Sequence, residues 1–162
     1  MGKIGPAGVP VLVEALQDRN STVRCTATRA VEEIGLEAKQ ALPALIHALK
    51  DDDAKVRVGA ARALAKLGPE AKAAVPRLSK ALRDENEEVR RRAGWALARI
   101  GPPAKEAIPV FLEALKVEHR GLWAGEDYLL RPTVASALRK LGPEAVPYFV
   151  AALKDEDDEI RL

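Results

Sequence analysis

Arg91, Trp95 and Arg99 stand four residues apart, a spacing that puts all three on one face of a helix. Arg92 lies beside them. Arg62 and Lys66 occupy the neighbouring positions upstream, and Ser136 and Lys140 do so downstream. An aromatic ring set among guanidinium and ammonium groups can hold an acidic peptide, a phosphate-bearing ligand or nucleic acid by charge and stacking. The competing reading is a solvated face in which Glu32, Glu33, Glu87 and Glu88 balance the same cations. A second group of chemically able side chains, His119, Trp123 and Tyr128, falls in one short stretch from Val117 to Tyr128.

Other residue types exclude more than they suggest. The two histidines, His47 and His119, lie far apart, and neither sits in a His-Glu or His-x-x-x-His pattern. Cys25 is the single cysteine, which rules out an internal disulfide framework and a zinc or iron site built from soft ligands. There is no glycine-rich phosphate loop. We expect no enzyme, no metal and no cofactor. Cys25 stands near the start of a helix, where thiolates are stabilised, yet its counterparts in the repeats described next are Val58, Arg91 and Pro132, so it reads as an incidental small side chain. His47 reads as a surface or edge residue.

The elements that position these groups repeat. Pro10, Pro43, Pro76 and Pro109 are each 33 residues apart, and each opens a Pro-x-x-x-x-Ala-Leu segment. A further copy begins at Pro147. Val23-Arg24, Val56-Arg57 and Val89-Arg90 fall in register, joined by Ile160-Arg161. Ala27/Ala30, Ala60/Ala63 and Ala93/Ala96 follow, and units close at Gly35, Gly68, Gly101 and Gly142. Each unit therefore reads as two helices. The proline either opens or kinks the first. Asn20, Asp53 and Asn86 are placed to N-cap the second, and the closing glycine to end it with a left-handed C-cap. Val56, Ala60, Ala63, Leu64 and Leu67 form an apolar stripe of helical period. One such hairpin cannot bury its own apolar face, whereas stacked hairpins bury it continuously. Asp18/Arg24, Asp51/Arg57, Asp84/Arg90 and Asp155/Arg161 stand six apart across the turns. They are expected to fix the turn by bonding to each other, to turn amides or to the next repeat, in preference to contacting a partner.

Composition agrees with a helical stack. Of 162 residues 48% are hydrophobic and only 4% aromatic, so the apolar content is small and aliphatic. Charged residues make up 31% and the net charge is +2, too small a total to announce a nucleic-acid binder. No basic region followed by an apolar stretch opens the chain, and no run approaches a membrane span. We expect a cytoplasmic protein with no membrane contact.

The whole pattern resembles the HEAT-repeat family, specifically the repeats associated with phycobilin lyases. Pro76, Leu78, Ala81, Leu82, Asp84, Asn86, Val89, Arg90, Ala93, Ala96, Leu97, Ile100 and Gly101 carry the resemblance in one unit. It implies an all-α fold, a right-handed α-α superhelix of about four and a half hairpins, with units near 5–35, 36–68, 69–101, 102–142 and an incomplete 143–162. It further implies that the second helices line a concave, partner-binding surface. The expected function is a protein-binding scaffold or adaptor for a protein or acidic peptide, with nucleic acid less favoured. Two alternatives come from relatives: a bilin lyase-like or chaperone-like accessory protein, and a DNA-binding or alkylpurine glycosylase-like protein. A structural module of a longer chain is a third.

Departures from the repeat rule locate the candidate site. Gly94-Trp95 replaces the polar pair seen as Thr28-Arg29 in the first unit. In the fourth unit Pro109 and Arg131 are 22 residues apart against 14 elsewhere, so eight extra residues enter near 117–127, and Val117 replaces the turn aspartate. Trp123 either binds a partner there or folds back on the core. The candidate partner-binding residues are Arg62, Lys66, Arg91, Arg92, Trp95, Arg99, Trp123, Tyr128 and Lys140.

Overall fold

The computed structural model describes residues 8–101, together with Pro143, Val146, Pro147 and Val150. Among the described residues there is no strand. Three hairpins follow one another: α1 (Val9–Ala15) with α2 (Ser21–Ile34), α3 (Leu42–Ala48) with α4 (Ala54–Leu67), and α5 (Val75–Ala81) with α6 (Glu87–Ile100). Short 3-10 segments, Gly35–Ala41 and Gly68–Ala74, lead into α3 and α5. The chain is an all-α solenoid.

Local chemistry explains each boundary. Asn20, Asp53 and Asn86 adopt extended backbone angles, and their side chains accept from the amides of Thr22, Lys55 and Val89 at 2.9, 2.8 and 3.2 Å. Amides that α2, α4 and α6 would otherwise leave unpaired are thereby satisfied. The prolines open α1, α3 and α5 and kink nothing: each is the second residue of its helix, where its missing N–H removes no internal bond. The break in direction falls earlier, at Ala38 (φ −92°, ψ 18°) and Ala71 (φ −83°, ψ 16°).

The closing glycines differ from expectation. Gly35, Gly68 and Gly101 have positive φ (67°, 56° and 75°), but ψ is −132°, −133° and −139°, outside the left-handed helical region. The chain does not curl into a left-handed cap. After Gly35 and Gly68 it swings straight into a 3-10 segment, and only glycine holds these angles without strain.

The expected apolar stripe is the core. Val56, Ala60, Ala63, Leu64 and Leu67 are each at most 1% exposed, and Val89, Ala93, Ala96, Leu97 and Ile100 are fully buried. Small side chains let the second helices approach closely, so α2 packs on α4 and α4 on α6. At Gly59 the approach is so tight that a β-carbon would lie 2.0 Å from Thr28 Oγ1. Successive first helices touch one another far less. The second helices are therefore the more closely packed layer of the stack.

Candidate partner-binding face

The scaffold of this face is fixed by a ladder of arginines and aspartates along the turns. Arg24 donates from Nε and Nη2 to Asp51 at 2.6 and 2.8 Å, and Arg57 does the same to Asp84 at 2.9 and 2.9 Å. The third nitrogen of each holds its own turn: Arg24 Nη1 donates to the carbonyls of Asp18 and Arg19, Arg57 Nη1 to those of Asp51 and Asp52. Arg90 Nη1 donates likewise to the carbonyls of Asp84 and Glu85. Each aspartate also accepts an amide two residues on: Asp18 from Asn20, Asp51 from Asp53 and Asp84 from Asn86. Within a unit the arginine thus binds the aspartate's carbonyl, while the carboxylate receives the arginine of the preceding unit. Burial pushes the Asp51 carboxyl up, but the bonds from Arg24 and the Asp53 amide outweigh it and hold the group below its ordinary value.

Between the second helices lies a groove with a cavity volume of about 300 Å³. Cys25, Thr28, Arg29 and Glu32 come from α2, and Ala54, Lys55, Val58, Gly59 and Arg62 from α4. Asn86 and Glu88 close it from the start of α6. The floor is small and apolar, and the rim is charged.

The structure shows how the predicted basic strip is arranged. Arg62 lines the groove, and its Nε and Nη2 donate to Glu32 Oε1 at 3.2 and 3.1 Å. Arg91 and Arg92 share Glu88: Arg91 Nε donates to Oε2 at 2.8 Å, with a further bond from its Nη2, and Arg92 Nε donates to Oε1 at 2.6 Å. Burial pushes the Glu88 carboxyl up, but these arginines outweigh it and the net shift is downward. Three of the predicted cations are therefore already partnered by carboxylates. Lys66 and Arg99 are exposed and do not line the groove. Trp95 is half-buried and packs against the core. Trp123, Tyr128, Lys140, His119 and the 117–127 insertion lie outside the described residues.

Sequence reasoning missed Arg29 and Lys55. Both line the groove, both are exposed, and neither joins a salt bridge among the described residues. Arg29 was legible in principle, since it stands in register with Arg62 and Trp95. His47 is exposed and Cys25 half-buried. Among the described residues no group of three His, Cys, Asp or Glu side chains could hold a metal ion, and no helix is long and apolar enough to cross a membrane.

The chain matches the family of HEAT repeats over residues 1–54, 42–124 and 76–162. No curated protein matches it. Among solved structures, an engineered protein is 29% identical over 96% of this chain and 75% of its own, with a TM-score of 0.67. The complex of CpcE and CpcF of phycocyanin lyase from Nostoc sp. gives a TM-score of 0.70 at 24% identity, covering 94% of this chain. The chain spans only 60% of that relative. A designed armadillo repeat protein in complex with the peptide (KR)4 gives 0.61 at 21% identity, covering 98% of this chain and 83% of its own. At such identities the last two likenesses are of fold alone.

Proposed function

This chain belongs to the HEAT-repeat family, and we propose that it is a binding scaffold that holds an acidic segment of another protein along its second-helix face. The observation that carries the reading is the groove, built jointly by three successive second helices and rimmed by Arg29 and Lys55 outside any described salt bridge. A face lined by adjacent repeats suits an extended ligand, because each unit offers the same positions to the next stretch of chain. The armadillo relative, solved with a peptide, and the CpcE and CpcF complex favour a protein partner. The cations favour an acidic one, opposite in charge to (KR)4. Lys66, Arg99 and the half-buried Trp95 extend the same face beyond the groove.

The test is fluorescence anisotropy with labelled oligo-glutamate and oligo-lysine peptides, comparing the chain with an Arg29→Glu/Lys55→Glu variant. Acidic peptide bound by the parent and released by the variant supports the reading. Equal binding by both proteins, or preference for oligo-lysine, overturns it.

A further inference from the structure

The groove between α2 and α4 has an apolar floor with cations at both ends. Cys25, Ala54, Val58 and Gly59 form the floor, and all four are half-buried. Thr28 also lines it, but its hydroxyl donates to the Cys25 carbonyl at 2.7 Å and needs no partner from a ligand. Lys55 and Arg62 stand seven residues apart on α4, with Val58 between them. Two helical turns separate them by about 10 Å along the axis. Arg62 reaches Glu32, which lies one turn after Arg29 on α2, so Arg29 stands at the Arg62 end. The carboxylates of the rim are already taken: Glu32 holds Arg62, and Glu88 holds Arg91 and Arg92. Lys55 at one end and Arg29 at the other remain outside any salt bridge among the described residues.

The floor is a place for a side chain, and the ends are places for carboxylates. A cavity of about 300 Å³ lies at the lower end of the range for ligand pockets, which suits one side chain of a longer ligand. One repeat on, Arg91 takes the place of Val58 and is tied to Glu88, so the same floor does not recur between α4 and α6. Val58 lies three residues after Lys55 and four before Arg62, about 4.5 and 6 Å along the helix. An extended chain advances about 3.3 Å per residue. A side chain seated over Val58 therefore has neighbours one or two residues away over each end. Resting on the acidic-segment reading, we propose that the groove takes one large aliphatic side chain of the bound segment, flanked on both sides by carboxylates one or two residues away. The ligand is then an acidic segment interrupted by a single aliphatic anchor.

Fluorescence anisotropy with labelled Glu-Glu-Leu-Glu-Glu and Glu-Glu-Gly-Glu-Glu tests this on the parent chain and on Val58→Arg. The variant fills the floor while adding a cation, and α6 already carries an arginine at that register, Arg91. We expect the parent to bind the leucine peptide about tenfold or more tightly than the glycine peptide. Val58→Arg should bind the two alike, with helical circular dichroism unaltered. Equal binding of both peptides by the parent, or a leucine preference that survives Val58→Arg, overturns the inference and leaves the acidic-segment reading standing. A parent that binds neither peptide overturns that reading and the inference with it.

Discussion

Arg57 grips Asp84 through two parallel bonds of 2.9 Å, and the side chain that makes them is only 8% exposed. Its remaining nitrogen secures the turn that precedes α4. One side chain therefore ties its own turn to the neighbouring hairpin. Removing it leaves an oriented carboxylate and two turn carbonyls to be resolvated. We expect Arg57→Ala to destabilise the chain by about 2–3 kcal/mol. Lysine keeps the charge but cannot supply the fork, so Arg57→Lys should recover less than half of that. Urea unfolding reads both values; an alanine variant within error of the parent would remove the ladder from the account of stability.

Thr28 and Gly59 define the tightest approach of α2 and α4. A β-carbon on residue 59 would meet Thr28 Oγ1 at 2.0 Å and Thr28 Cβ at 2.8 Å. Gly59→Ala should therefore cost about 1–3 kcal/mol through overpacking, although alanine is the better helix former by about 1 kcal/mol. Thr28→Ala relieves only part of the clash, because its own β-carbon remains. Thr28→Gly removes all of it, and in that background Gly59→Ala should become stabilising. A double-mutant cycle by thermal or urea unfolding measures the coupling. The same Gly59→Ala penalty in all three backgrounds would show that the contact with Thr28 is not its source.

Much of this architecture was legible because it repeats. The 33-residue period, the caps at Asn20, Asp53 and Asn86 and the stripe from Val56 to Leu67 follow from local pattern. The glycine angles were not legible: positive φ could be read from residue type, but ψ depends on where the next helix must begin. The 3-10 geometry of the leads into Pro43 and Pro76 was not legible for the same reason. At the candidate site, pattern gave the cations but not their company. Arg62 meets Glu32 across 30 residues of chain, so that pair depends on how α2 and α4 slide past each other. Glu88 stands three and four residues before Arg91 and Arg92, a helical spacing that could have been read directly. Lys55 was hidden in the first turn of α4 and gained its place only when Asn86 and Glu88 of α6 closed the groove.

The ladder also sets the response to acid. Burial opposes ionisation of Asp51, but the bonds from Arg24 and the Asp53 amide prevail. Asp53 is held down chiefly by the Lys55 amide it caps, and Glu88 by Arg91 and Arg92 against the upward push of burial. With folded values below unfolded ones, the unfolded chain takes up protons first. The stabilisation is complete above the unfolded carboxylate range and is lost as pH falls through the folded values. Melting temperature should hold from neutral pH to about 5 and fall steeply below about 4. Asp51→Asn should lower it at neutral pH and flatten the acid limb. An acid limb of unchanged slope in that variant would show that other carboxylates carry the transition.

Glu32 and Glu88 set much of the charge along the second-helix face. Each sits among cations and takes up their charge: Glu32 holds Arg62, and Glu88 holds both Arg91 and Arg92. A polyanion laid along the face would meet carboxylates at the points where the sequence alone suggests bare guanidinium groups. Neutralising both raises the local charge by two and removes the carboxylates that hold Arg62 and Arg92. Binding of single-stranded DNA should therefore be weak in the parent and strengthen about tenfold or more in Glu32→Gln/Glu88→Gln. The gain should shrink with added salt, as counterion release requires. Anisotropy of a labelled oligonucleotide at two salt concentrations reads both effects. Equal affinity in parent and variant would mean that the ion pairs yield to any anion, and the proposed preference for an acidic peptide over nucleic acid would then have to come from groove shape alone.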